Sequence, residues 1–173
     1  LIQVAKQAGA SKIWATAGTD EKCKLCKSLG ADVAVNYRSE DFAEVVKRDT
    51  EGRGVDLIVD LVGRDYWAKN MSSAGKDSKM VIVAAMSGSM IDGFNLRDLL
   101  NKRIWVLATT LRTRDSTYQG KLRDKFVEIA LGPLASGEMK ITIDKVYSWT
   151  EISDAHKRME ANVNAGKIIC IVD

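Results

Sequence analysis

The sequence predicts a doubly wound α/β domain built on a parallel sheet. Short apolar runs alternate with stretches whose apolar positions recur at helical spacing, in succession from the first residues to about position 136. The strand runs are apolar throughout, as expected where helices cover both faces of a parallel sheet. Their spacing suits right-handed strand–helix–strand units, and no internal repeat or low-complexity segment interrupts it.

Leu1, Val4, Ala5 and Ala8 share a helical stripe that Gly9 ends. Residues 12–17, between Gly9 and Gly18, read as the first strand. Asp20 and Glu21 open the next helix with acids, which its dipole favours. Leu25, Cys26 and Leu29 form that helix's inner face, and Gly30 closes it. Residues 33–37 are a second strand, and Phe42, Val45 and Val46 mark a helix ending near Gly52. A strand at 55–60, a helix carrying Tyr66, Trp67, Asn70 and Met71, a loop at 73–78 and a strand at 80–85 follow. A short helix at 94–101 precedes a strand at 104–109. A longer helix over 116–136 sets Leu122, Phe126, Ile129 and Ala130 on one face, and Pro133, the only proline, bends or frays its last turn. Beyond Gly137 the rhythm changes to a small strand–helix–strand tail: a strand at 140–147, a helix capped by Thr150 and running to about Ala161, and a strand at 167–172.

Composition narrows the class. With 173 residues, 46% hydrophobic and 28% charged, the chain is an ordinary globular one, which excludes disorder, collagen-like repeats and a disulfide scaffold. Twenty-six Lys and Arg against 23 Asp and Glu leave a formal charge of +3, with acids interleaved almost everywhere; a nucleic-acid binder needs a clustered basic stripe. The longest uncharged stretch, 80–91, is too short for a membrane span of ~20 residues. The opening residues break their apolar run at Lys6 without a basic leader, unlike a signal peptide. Three cysteines form no secreted framework, so a reducing, cytoplasmic setting is expected. His156, the only histidine, reads as a structural or surface residue, and no metal site is expected.

In this architecture ligands lie beyond the carboxyl ends of the strands, so the loops after Ala17, Tyr37, Asp60, Ala85 and Thr109 matter. The Gly-x-Gly-x-x-Gly fingerprint is absent, and the Gly-x-Gly at 52–54 precedes a strand, which makes it a plain connection. Gly18 and Thr19 stand at a helix N-terminus, whose N–H groups receive anions, with Lys22 one turn on. Tyr37 and Arg38 follow the next strand and could close over an adenosine; a ribose phosphate suits these residues better than a bare diol. A routine capped helix with a solvated lysine accounts for the same residues, and both readings stand. Cys23 and Cys26 have the spacing of a redox pair, but such motifs place the first cysteine at the helix start, and Cys23 lies a turn in. A core-facing Cys26 with an incidental Cys23 is the plainer account.

An ordered series of motifs resembles one family: Thr16-Ala-Gly-Thr19 with Lys22, Leu29-Gly-Ala-Asp32, Asn36-Tyr37, Gly52-Arg-Gly-Val-Asp56, Asp60 with Val62-Gly63, Leu111-Arg-Thr-Arg-Asp115, and Ala155-His156 through Asn162 to Gly166-Lys167. The family is the zinc-independent quinone oxidoreductases, the zeta-crystallin-like branch of the medium-chain dehydrogenase/reductase superfamily. The match covers essentially the whole chain. It implies hydride transfer from NADPH to quinones or related enone-like carbonyl compounds, by homo-oligomers without zinc. It implies that Gly18, Thr19, Lys22 and Tyr37 hold the 2′-phosphate end and that Leu61 and Val62 lie near the cofactor. Val83, Ala84, Ala85 and Met86, with Thr109, Thr110 and Leu111, would flank the nicotinamide, and Asn162 would approach from the tail.

The resemblance further implies that residues 1–136 are a nucleotide-binding domain lacking its first strand and glycine-rich loop. Residues 137–173 would be the C-terminal segment of a catalytic domain whose N-terminal part is missing, and the isolated piece would be inactive. In the strand order 3-2-1-4-5-6 the missing strand is central, so 12–17 and 55–60 would lose their common neighbour. An associated N-terminal segment, a neighbour's strand or residues 167–172 would fill that place. The alternative is a noncatalytic nucleotide-binding or dimerisation module, with 104–109 pairing across a dimer.

Overall fold

The computed structural model describes residues 1–172. In chain order the elements are α1 (Ile2–Gln7), β1 (Trp14–Ala17), α2 (Asp20–Ser28), β2 (Val33–Asn36), α3 (Phe42–Asp49), β3 (Val55–Asp60), α4 (Arg64–Ser73), β4 (Ala74–Ile82), α5 (Leu96–Lys102), β5 (Trp105–Ala108), α6 (Ser116–Ser136), β6 (Ile143–Ser148), α7 (Ile152–Glu160) and β7 (Lys167–Ile171). A 3₁₀ turn, Trp149–Glu151, leads into α7. This is the α/β class with parallel strands and helical crossovers that the sequence predicts.

The strands form three sheets: β1 with β2, β3-β4-β5, and β6 with β7. The pairs within the second and third sheets are parallel. The expected break is present as topology: β1 pairs only with β2, β3 pairs only with β4, and no described strand joins both. The strand near 167–172 does not take the central place, because β7 pairs with β6 from Ile143–Lys167 to Ser148–Ile171.

The chain divides into two compact units. One comprises Leu1–Ala15, Thr19–Ala34 and the chain from Arg123 onward; the other comprises Thr16–Gly18 and Val35–Leu122.

In the second unit α3 buries Phe42, Ala43, Val45 and Val46 after an Asp41 cap that accepts from the Ala43 N–H. Met71, Ala74, Met80 and Ile104 form a core cluster, with Ile58, Trp67 and Leu99 packed on it. α4 passes directly into β4, so the loop expected over 73–78 is the end of a helix and the start of a strand, and β4 runs from Ala74 to Ile82. Close glycine backbones permit this: a Cβ at Gly54 would stand 2.6 Å from both the Gly75 nitrogen and the Ser73 oxygen. A bulge between Val55 and Leu57 absorbs the extra residues of β4. Lys102 finishes α4 by donating from Nζ to the carbonyls of Met71 (2.7 Å), Ser72 (3.0 Å) and Ala74 (2.8 Å). Burial holds its ammonium pKa below the ordinary lysine value, with the Asp98 charge opposing that shift.

In the first unit Gln3 clamps the tail: its amide donates to the Lys140 carbonyl (2.9 Å) and accepts from the Lys140 N–H (2.6 Å). The tail helix is introduced by Ser148 rather than Thr150. The Ser148 hydroxyl accepts from the Thr150 N–H, and the Glu151 carboxylate accepts from the Ser148 N–H.

Two core expectations are corrected. Cys23 is the buried cysteine, and Cys26 is half-buried. On α6 only Ala130 is buried, while Leu122, Phe126 and Ile129 are exposed. α6 nevertheless runs through Pro133 to Ser136, the end expected for it. Among the described residues no helix is long and apolar enough to cross a membrane.

Candidate functional site

One buried carboxylate organises the loop at the carboxyl end of β3. Asp60, 3% exposed, closes β3 and turns its side chain onto the loop that follows. Its Oδ1 accepts from the Val62 N–H (2.7 Å) and the Gly63 N–H (3.2 Å), and Oδ2 also accepts from Gly63 (3.2 Å). The loop beyond β4 is laced to the same segment. The Val83 N–H donates to the Asp60 carbonyl (2.8 Å), Met86 to Leu61 (3.2 Å) and Ser87 to Val62 (2.8 Å). The Ser87 hydroxyl donates to the Val62 carbonyl and accepts from the Asp65 N–H. Gly63 is required here: φ is +87°, and a Cβ would stand 2.8 Å from the Gly88 oxygen.

Leu61 and Val62 are thus held against the segment containing Val83, Ala84, Ala85 and Met86, two groups the sequence singled out separately. Thr109 joins them, its N–H donating to the Ile82 carbonyl (3.0 Å). Thr110 and Leu111 follow as exposed residues, and the Leu111 carbonyl accepts from the Arg114 N–H and the Gln119 amide in the turn before α6.

The same unit holds Gly18 and Tyr37. The Tyr37 N–H donates to the Ala17 carbonyl (3.0 Å), and the Tyr37 hydroxyl lies so near Gly18 that a Cβ there would stand 2.6 Å from it. The Tyr37 ring meets Tyr66 edge-on, with centroids 6.1 Å apart. Burial pushes the Tyr66 phenol up from its ordinary value, a shift the Thr16 hydroxyl partly offsets.

The other unit holds Thr19, Lys22 and Asn162. Thr19 caps α2, its Oγ1 accepting from the Lys22 N–H (3.2 Å). Glu21 also serves this helix end: its own backbone N–H and the Thr19 hydroxyl hold its carboxyl below the ordinary range. The Lys22 ammonium donates to the Asn162 carbonyl (2.7 Å), where Asn162 takes a left-handed φ of +52°. Lys22 is therefore tied to the tail through an exposed hydrogen bond from one of its three donors. Nearby, Asp144 accepts from Arg158 at 2.5 and 3.1 Å and from the Ala165 N–H at 2.9 Å. Hydrogen bonding from the Arg158 guanidinium, then from Ala165, with smaller help from the Arg158 and Lys22 charges, lowers the Asp144 carboxyl to about 2.

Cys26 does not have the environment of a redox nucleophile, because burial, followed by the neighbouring Cys23, raises its thiol pKa. Among the described residues no cluster of three or more His, Cys, Asp or Glu could hold a metal ion. Sequence reasoning missed the organising role of Asp60, although its place two residues before Val62 at a strand exit was a usable signal. It also missed Tyr66, read only as a helix residue, and the bond between Lys22 and Asn162.

Residues 1–127 match the zinc-binding dehydrogenase family, and the chain belongs to it. Within that class it is similar to quinone oxidoreductase 1 of Escherichia coli (strain K12), with 30% identity over 98% of this chain and 51% of that protein. It is also similar to 2-haloacrylate reductase of a Burkholderia species, with 25% identity over 99% of this chain and 51% of that protein. The crystal structure of E. coli quinone oxidoreductase complexed with NADPH aligns with a TM-score of 0.77 and 30% identity, covering 98% of this chain and 52% of that one. The chain spans about half the length of the curated relatives it matches end to end.

Proposed function

We propose that this chain is the C-terminal portion of an NADPH-dependent, zinc-independent oxidoreductase that reduces quinones or related electrophilic carbonyl compounds in the cytoplasm. Residues 1–136 are its nucleotide-binding domain, and residues 137–173 are the C-terminal segment of a catalytic domain. The observation that carries the reading is the laced rim at Asp60. Val83 is bonded to Asp60, Met86 to Leu61 and Ser87 to Val62, at the carboxyl ends of parallel strands, where open α/β sheets bind their ligands.

The residues fit a dinucleotide. Gly18, lacking a Cβ, lies beside the Tyr37 phenol, which can donate to a phosphate oxygen. Of the three N–H donors of the Lys22 ammonium, one goes to the Asn162 carbonyl, leaving two for an anion. Gly18, Thr19, Lys22 and Tyr37 are assigned to the 2′-phosphate end. Leu61, Val62, Val83, Ala84, Ala85, Met86, Thr109, Thr110 and Leu111 are assigned to the nicotinamide side, and Asn162 to the tail's approach. Bound NADPH supplies the hydride; the chain's residues hold and orient it.

NADPH fluorescence titration of the 173-residue chain tests the binding, and a quinone-dependent NADPH oxidation assay tests the activity. The expected result is saturable binding that prefers NADPH to NADH, with no turnover by the isolated chain. A preference for NADH would overturn the cofactor assignment, and turnover by the isolated chain would overturn its inactivity.

One observation favours a second reading, a dimerisation module. Among the described residues β5 pairs only with β4, and Trp105, Val106 and Leu107 on it are exposed, an open edge suited to strand pairing with a second copy. Sedimentation showing a strict monomer at high concentration would remove this reading.

A further inference from the structure

Tyr66 stands at the centre of an aromatic cluster of which the function proposed above uses only Tyr37. The cluster lies within the unit made of Thr16–Gly18 and Val35–Leu122. The Tyr66 ring meets Tyr37 edge-on (6.1 Å between centroids, 76° between planes) and lies tilted on Phe42 at 4.8 Å. Phe42 is itself well fixed: it is buried at the start of α3, next to the Asp41 cap. The Lys69 ammonium lies over its ring at 5.8 Å and pairs with Asp41 at 3.1 Å. At the other end, the Tyr66 hydroxyl reaches the Thr16 hydroxyl at 3.4 Å, a long contact. Tyr37, by contrast, is 38% exposed, and its hydroxyl lies beside Gly18. Its one ring–ring contact among the described residues is with Tyr66.

An exposed tyrosine after a strand has rotamer freedom that a ligand would have to remove on binding, and a neighbour that removes it beforehand strengthens binding. We propose that Tyr66 is a positioning residue for the phosphate-bearing ribose of the cofactor, its ring holding the Tyr37 phenol over Gly18 before the ligand arrives. This rests on the NADPH reading above. Tyr66 acts through Tyr37, so its effect falls on the part of the ligand that Tyr37 meets. It raises selectivity for a 2′-phosphate and leaves binding of a bare ribose unchanged.

The test uses the 173-residue chain with two ligand pairs: NADPH against NADH, and adenosine 2′-monophosphate against adenosine 5′-monophosphate. Y66L is expected to weaken the 2′-phosphate ligands about five- to tenfold and to change the others by less than about twofold. Y66F keeps the ring and loses only the long contact to Thr16, so it should stay within about twofold of the parent chain. Y37F/Y66L should be no weaker than Y37F alone, because the brace works through the phenol that Y37F deletes. F42L withdraws support from the far side of Tyr66 and should move selectivity the same way by a smaller factor; it serves if circular dichroism shows Y66L unfolded. Equal weakening of both members of each ligand pair by Y66L, or additivity with Y37F, would overturn the proposal. A parent chain with no preference for the 2′-phosphate, or one that Y37F leaves unaffected, would overturn the NADPH reading itself and this inference with it.

Discussion

Asp60 and Asp144 are both enclosed carboxylates that close a loop after a strand start or end, yet they are met by opposite kinds of partner. Asp60, 3% exposed, receives among the described residues only neutral backbone N–H groups, from Val62 and Gly63. Asp144, its side chain 8% exposed, receives the Arg158 guanidinium on both oxygens and one backbone N–H from Ala165. The first arrangement needs acceptor atoms, the second needs charge. The consequence differs for function as well. Asp60 shapes the rim around Leu61 and Val62 without bringing a cationic side chain to it, whereas Asp144 ties α7 to β6 in the tail by an ion pair.

The sharpest way to break this comparison is to truncate Asp60. D60A leaves the buried Gly63 N–H and the part-buried Val62 N–H without an acceptor; a buried loss costs about 1–3 kcal/mol and a part-buried one less, so denaturant unfolding should show a loss of roughly 2–3 kcal/mol. D60N keeps an oxygen able to serve both donors and should recover most of that stability. If D60N were as damaging as D60A, charge would matter at Asp60 and the contrast with Asp144 would fail.

A smaller effect, with a pH signature, is expected from D144N. The Asp144 carboxyl lies at about 2 in the folded chain, below its ordinary 3.8. A carboxyl whose folded value is depressed stabilises the fold fully above its unfolded value and loses that contribution as pH falls through the folded value. The melting-temperature gap between the parent chain and D144N should therefore be constant above about pH 4 and close toward pH 2. A gap that persists at pH 2 would mean the tail is held by packing instead.

The smallest stability change is expected from K22A. It removes one exposed bond to the Asn162 carbonyl, so thermal unfolding should change by no more than about 0.5 kcal/mol. The same variant should lower NADPH affinity measurably in the fluorescence titration. A large stability loss without a change in NADPH binding would make Lys22 a structural clamp alone.

Much of this was legible in the chain. The strand exits that carry Gly18, Tyr37, Asp60 and Thr109 were read from apolar runs ended by glycine, aspartate or polar residues, and the break between β1 and β3 followed from the strand order that the resemblance implies. The continuity of α4 into β4 was not legible, because it depends on the close approach of Gly54 and Gly75, residues with no periodic signature. Nor was the identity of the buried cysteine: Cys23 and Cys26 are three residues apart on one helix, and which of them turns inward depends on the neighbouring elements.

By itself the sequence determined the order and type of the elements, because local periodicity and turn chemistry act over a few residues. It also determined which loops lie at the carboxyl ends of the strands, because parallel strand–helix units leave no other place for them. Only the tertiary structure decided which amphipathic faces are covered: α3 buries Phe42, Val45 and Val46, while α6 leaves Leu122, Phe126 and Ile129 exposed. It alone joined Lys22 to Asn162, 140 residues apart. Burial and hydrogen bonding of this kind are settled between distant segments, and no local pattern in the chain encodes the partner.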